Sequence, residues 1–146
     1  MRTGVSITDR IGNGIVAGFI ATLVMSALHE PVALMTAAVG MRAPVGLLFH
    51  FFVGTFLWGG AFGVAHDWLA GPSWLRGILF GSGAALLVMF VIAPLTGSGF
   101  LCLRLGFLAP AVVALFHLSY GTILGGIYGK LLDTDEARET ARYAQH

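Results

Sequence analysis

Charge is what this sequence has least of. Only 10% of its 146 residues are Asp, Glu, Lys or Arg, against roughly 25% in an ordinary soluble domain. The net charge is +1 and the few cations sit at the ends of apolar runs, so no basic face is available and no nucleic-acid partner is expected. Cys102 stands alone, which excludes an intramolecular disulfide and a cysteine-based zinc site. No Ser/His/Asp set, carboxylate pair or phosphate loop has catalytic spacing, and the chain is not expected to be an enzyme acting alone.

What it has instead is apolar sequence, 57% of the chain. No charged residue interrupts the runs between Arg42 and Asp67, Arg76 and Arg104, or Arg104 and Lys130, and each exceeds the ~20 residues a helix needs to cross a bilayer. The expected fold is all-α, an integral membrane four-helix bundle. Its spans run from Asn13 to about His29, Val45 to Trp68, Trp74 to Leu95 and Phe107 to Leu131. No small-residue cleavage site follows the first segment, so it reads as a retained helix. Residues 1–11 form a lead, 12–131 the membrane domain and 132–146 a polar tail in which Asp133 and Glu136 have capping-box spacing. With both ends in the cytoplasm, Arg2, Arg10, Arg76, Lys130, Arg138 and Arg142 lie inside against Arg42 and Arg104 outside, as the positive-inside rule favours.

The chain repeats itself. Setting Gly14 against Gly77 aligns residues 14–31 with 77–94 without a gap and pairs Gly18 with Gly81 and Pro31 with Pro94. The motif L-F-H-x-x-x-G-T-x-L then occurs at Leu48 to Leu57 and again at Leu115 to Leu124, and Ala43-Pro44 precedes the first as Ala109-Pro110 precedes the second. Two parallel helical-hairpin repeats follow, about 12–68 and 74–131, related by an axis along the membrane normal. Such a duplication sets His50 and His117 at equal depth.

An ionisable group inside an apolar span marks a candidate functional site. His117, Gly121, Gly125 and Gly129 are spaced by four, and His50 and Gly54 begin a similar row. One reading is close helix packing through Gly14, Gly18, Gly77, Gly81, Gly125 and Gly129, because small residues let backbones approach. Another is a flat cofactor, a b-type haem with His50 and His117 as axial ligands and Gly54 and Gly121 leaving room for the macrocycle. A third is a metal ion between His50 and His117, with His29 and Glu30 as further ligands. The plain alternative has each histidine hydrogen-bonded to a neighbouring helix, through Ser26, Thr55, Thr122 or Ser119. His66-Asp67-Trp68 reads as an interfacial end to the second span.

The repeated H-x-x-x-G-T, the G-x-x-x-G that opens the first and third helices, and Pro94-Leu95 resemble small bacterial inner-membrane proteins of the YagU type over most of residues 12–131. The resemblance implies a four-helix protein of the bacterial inner membrane. With almost nothing outside the bilayer, the expected role is an accessory or assembly subunit packing on other transmembrane helices of a larger complex, a respiratory one in the first instance, or on a second copy of itself. The alternatives are an electron carrier with haem or metal at His50 and His117, and a small transporter or channel.

Overall fold

The computed structural model describes residues 6–27, 33, 41–42 and 45–144. Among these there is no strand, and four helices are long and apolar enough to cross a membrane. They are α1 (Ile7–Ser26), α2 (Val45–Trp68), α3 (Ser73–Leu95) and α4 (Ala109–Tyr143). Phe19, Leu23, Leu48, Phe56 and Leu115 are all exposed, an apolar exterior suited to lipid and not to water.

Two boundaries differ from the sequence reading. α1 starts at Ile7 and not at Asn13, because Ser6 caps it and accepts the Asp9 N–H at 3.1 Å. α4 does not stop at Leu131 but continues to Tyr143, so Asp133 and Glu136 lie within a helix instead of starting one. The stretch after Lys130 holds Ala, Glu and Arg and neither Gly nor Pro, so nothing in it breaks the helix. Pro31 and Ala43-Pro44, used to align the repeats, lie outside the described residues.

Each neighbouring pair, α1 with α2 and α3 with α4, closes on glycine. A Cβ on Gly18 would stand 2.8 Å from Gly59 Cα and 2.9 Å from the Gly54 carbonyl, and one on Gly14 would overlap the Gly59 carbonyl. In the second pair a Cβ on Gly77 would overlap the Gly121 carbonyl and reach 2.9 Å from Gly125 Cα. Backbone lies against backbone along both seams. The two pairs meet differently, through large side chains. Phe62 packs edge-on against Tyr128 and Phe80 at centroid distances of 5.2 and 5.3 Å, and Trp58 against Phe80 at 5.8 Å. The phenol hydroxyls of Tyr120 and Tyr128 donate to the carbonyls of Gly54 and Gly63. α1 also lies along α4, where Asn13 donates to Asp135 at 2.8 Å.

Two helices contain a π turn, at Val53–Trp58 in α2 and Val88–Ile92 in α3. Pro94 accounts for the second, since its ring crowds the carbonyl four residues back and it has no N–H, so Ala93 N–H reaches Val88 O instead. The first adds one residue between Gly54 and Gly59. Gly18 faces Gly54 and Gly59, whereas its counterpart Gly81 faces His117 and Gly121. By packing partner, Gly59 therefore takes the place of Gly121 and Gly54 that of His117. The sequence motif pairs Gly54 with Gly121 and His50 with His117, one turn away. Stepping back four residues from Gly54 and from His117 sets His50 opposite Val113, so the two histidines are offset along their hairpins by about 6 Å. The equal-depth expectation is corrected accordingly. Gly54 and Gly59, five apart, share one face only because the turn between them is a π turn.

Between α3 and α4 a 3-10 turn covers Phe100–Leu105, in which Leu101 and Cys102 take left-handed φ values of 56° and 60°. Arg104 donates to the Gly97 carbonyl at 3.1 Å, and the Cys102 side chain is fully buried. Burial pushes the Cys102 thiol up from its ordinary value, so less thiolate is present at any given pH.

Two outcomes are expected. Gly77→Val should disrupt the second seam and cost about 1–3 kcal/mol, while Gly83→Val, with nothing within 4 Å of its Cβ, should be neutral; thermal unfolding in mild detergent compares them, and equal midpoints would show that the seam does not hold the hairpin. Maleimide should label Cys102 more slowly than a small free thiol at neutral pH, because its side chain is buried and its thiol is pushed up, and labelling should accelerate as pH rises.

Candidate functional site

Polar side chains gather at two levels. At the end where α1 and α3 begin, Asp67 of α2 pairs with Arg10 of α1, and Arg76 of α3 stands 3.7 Å away. His66, at the end of the second span, is 4% exposed. Its ring nitrogens lie 3.1 Å from both Asp67 Oδ1 and Ser73 Oγ, and its face lies 4.7 Å from the Tyr128 ring. Arg76 completes the cluster by donating to the His66 and Gly71 carbonyls at 3.1 and 2.7 Å. Every charge here has a partner of opposite sign or a carbonyl, so this is a clasp joining the two hairpins.

The second level lies toward the opposite end, where a cavity of about 330 Å³ opens between the hairpins. Both π turns contribute to its wall, Gly54 and Trp58 from one, Val88 and Ile92 from the other. A π turn displaces side chains from the regular helical rows, and such turns are frequent at functional sites. His50 and His117 both line the cavity, with Phe116 between them at ring distances of 5.7 and 6.2 Å. No Asp, Glu, Lys or Arg is among the described residues of the wall.

The two imidazoles are held differently. His117 Nδ1 lies 2.8 Å from the Val113 carbonyl, which can only accept, so in the neutral ring Nδ1 carries the proton and Nε2 is an acceptor. His50 Nε2 is buried and has no hydrogen-bond partner. Tyr120 has its own proton committed to the Gly54 carbonyl, and Thr96 directs its hydroxyl to the Ile92 and Ala93 carbonyls at 3.1 and 3.2 Å.

A sequence profile described as a family of unknown function, DUF6789, matches residues 8–139. The chain belongs to the DUF6789 family. The match takes in all four helices, the clasp and the cavity. No curated protein and no solved structure matches the chain.

In this DUF6789 chain His50 and His117 come to one cavity, but the glycines that followed them in the haem reading do not leave a slot. Gly121 is packed on the backbones of Gly77 and Gly81, and the Thr22 side chain stands where a side chain on Gly54 would go. A side chain at either residue would meet protein. Gly14, Gly18, Gly77, Gly81, Gly125 and Gly129 all serve helix packing, Gly129 against the Ser73 side chain. His29 and Glu30 lie outside the described residues, and among those described no three metal-ligating side chains come together. The expected bonds from the histidines to Thr55 or Thr122 are not formed either. Thr122 donates to Leu118 O and Thr55 Oγ1 is buried without a partner. Sequence reasoning passed over Tyr120 and Trp58, although a tyrosine three residues after His117 in an apolar helix was a readable signal.

Proposed function

We propose that the chain is a membrane-embedded binding protein that holds a small, neutral, largely apolar molecule between its two hairpins. The observation that carries this reading is the meeting of His50 and His117 on the wall of one cavity, His50 with a buried Nε2 that has no partner and His117 with Nε2 left as an acceptor. Burying a polar atom without a partner costs about 1–3 kcal/mol, a cost that a ligand's hydrogen bond removes. A wall without a charged side chain favours a neutral occupant, because a buried ion would have no counter-charge.

The two hairpins arose by duplication in this reading, which is supported by their common closure on glycines of α1 and α3. Placement in the bacterial inner membrane with both ends cytoplasmic is supported by Arg10 and Arg76 lying together at one end and Arg104 at the other. A role as an accessory subunit of a larger membrane complex is compatible with ligand binding, and the short connection between α2 and α3, residues 69–72, favours it by leaving little besides helix faces to meet a partner.

One preparation tests both readings. Protein purified from native membranes in mild detergent is extracted into organic solvent and analysed by mass spectrometry. A stoichiometric neutral molecule is expected, lost from the His50→Leu/His117→Leu variant. Extracts holding only bulk phospholipid in both cases would overturn the binding reading, and a solitary species on native gels would overturn the subunit reading.

A further inference from the structure

The hydrogen-bonding capacity left on the cavity wall has a direction. Five side chains with hydrogen-bonding groups line it, His50, Trp58, Thr96, His117 and Tyr120, and three of them have their protons committed: His117 to Val113, Tyr120 to Gly54, and Thr96 to its own helix. What His117 still offers a ligand is the lone pair of Nε2. His50 keeps a ring proton to give and, as a neutral imidazole, an acceptor nitrogen, and the indole N–H of Trp58 is a further donor on the wall. A ligand that brings hydrogen-bond donors is therefore matched by this wall, and one that brings only acceptors leaves His117 Nε2 facing an oxygen it cannot bond.

The shape and composition narrow the class further. Phe116, Trp58 and Tyr120 present ring faces and edges suited to a flat aromatic body. At about 330 Å³ the cavity is at the small end of the roughly 300–1,000 Å³ range of ligand sites, enough for one substituted ring and not for a tetrapyrrole. Two imidazoles ask for two hydroxyls.

We propose that the cavity binds the reduced, two-hydroxyl form of a single-ring lipophilic quinone, one hydroxyl donating to Nε2 of His117 and the other meeting His50, in preference to the oxidised dicarbonyl form. This rests on the ligand-binding reading above and specifies its occupant. Only binding is involved, and no electron or proton changes hands. The quinone lacks the O–H that His117 Nε2 accepts, so it loses that bond and strands a buried acceptor.

The full-length protein in detergent micelles is titrated under anaerobic conditions with three molecules sharing one ring and four methyl groups: duroquinol, duroquinone and durene. Duroquinol is expected to bind about tenfold more tightly than duroquinone, the ratio that one lost hydrogen bond implies. In His117→Leu the two should come within about twofold of each other, since the acceptor that only the quinol can use is removed. The wild-type ratio is informative even where that variant does not fold. If all three bind and the quinone binds as tightly as the quinol, the donor preference is overturned and the ligand-binding reading stands. If none of the three binds, both are overturned.

Discussion

Two helix backbones can touch only where neither carries a side chain, and this structure depends on that contact twice. Gly14 and Gly18 meet Gly59, and Gly77 and Gly81 meet Gly121, so closely that even a methyl group would run into backbone. A lipid bilayer offers no hydrophobic drive for helices to associate, because its chains are as apolar as leucine. Close packing has to supply the attraction, and dispersion contacts and Cα–H···O approaches gain most when the axes are nearest. The seams are accordingly filled by main chain, and the bulky residues are pushed elsewhere.

Elsewhere is the space between the hairpins. Phe62, Trp58, Phe80, Tyr120 and Tyr128 hold the two pairs apart at aromatic distances, and the tyrosine hydroxyls reach across to glycine carbonyls that no side chain covers. Rings cannot fill an irregular gap as completely as backbone fills a glycine seam, and the residual volume is the cavity. At the other end the Asp67 clasp joins the same two units, with Arg10 and Arg76 on either hairpin contributing the charge. The site is thus a consequence of using close packing within each pair and wide packing between them.

Much of this was legible in the residues. The charge-free intervals located the spans, and α2 has the bounds the sequence implied, because twenty or more apolar residues leave a helix few other places to be. The glycine stripe on α1 reads directly as an interface, and Gly14, Gly18 and Thr22 are buried. The haem slot was misread, since spacing by four identifies a face without saying whether ligand or helix will occupy it. The ends were misplaced for local reasons: Ser6 with Asp9 is a cap that looked like polar lead, and the tail past Lys130 has the composition of a good helix. The π turn in α2 was the least legible feature. Nothing in Val53–Trp58 forbids a regular helix, and only the need to present both Gly54 and Gly59 to α1 selects the wider turn.

The packing register decides how the two histidines differ. The repeated motif alone would set His50 and His117 in matching surroundings, but Gly54 packs where His117 does, four residues out of the motif's register, and the π turn adds one residue more. His117 Nδ1 bonds the Val113 carbonyl one turn back in its own helix, which leaves Nε2 as an acceptor, while His50 stands beside Phe116 with a buried nitrogen and no partner. A symmetric pair presents the same face to either end of a ligand. This pair does not, so an occupant is held in one orientation, its firmer bond at His117 and its looser one at His50. The asymmetry runs with the packing on α1 and α3, since Gly18 meets Gly54 where Gly81 meets His117, so the glycine seams and the cavity share one register.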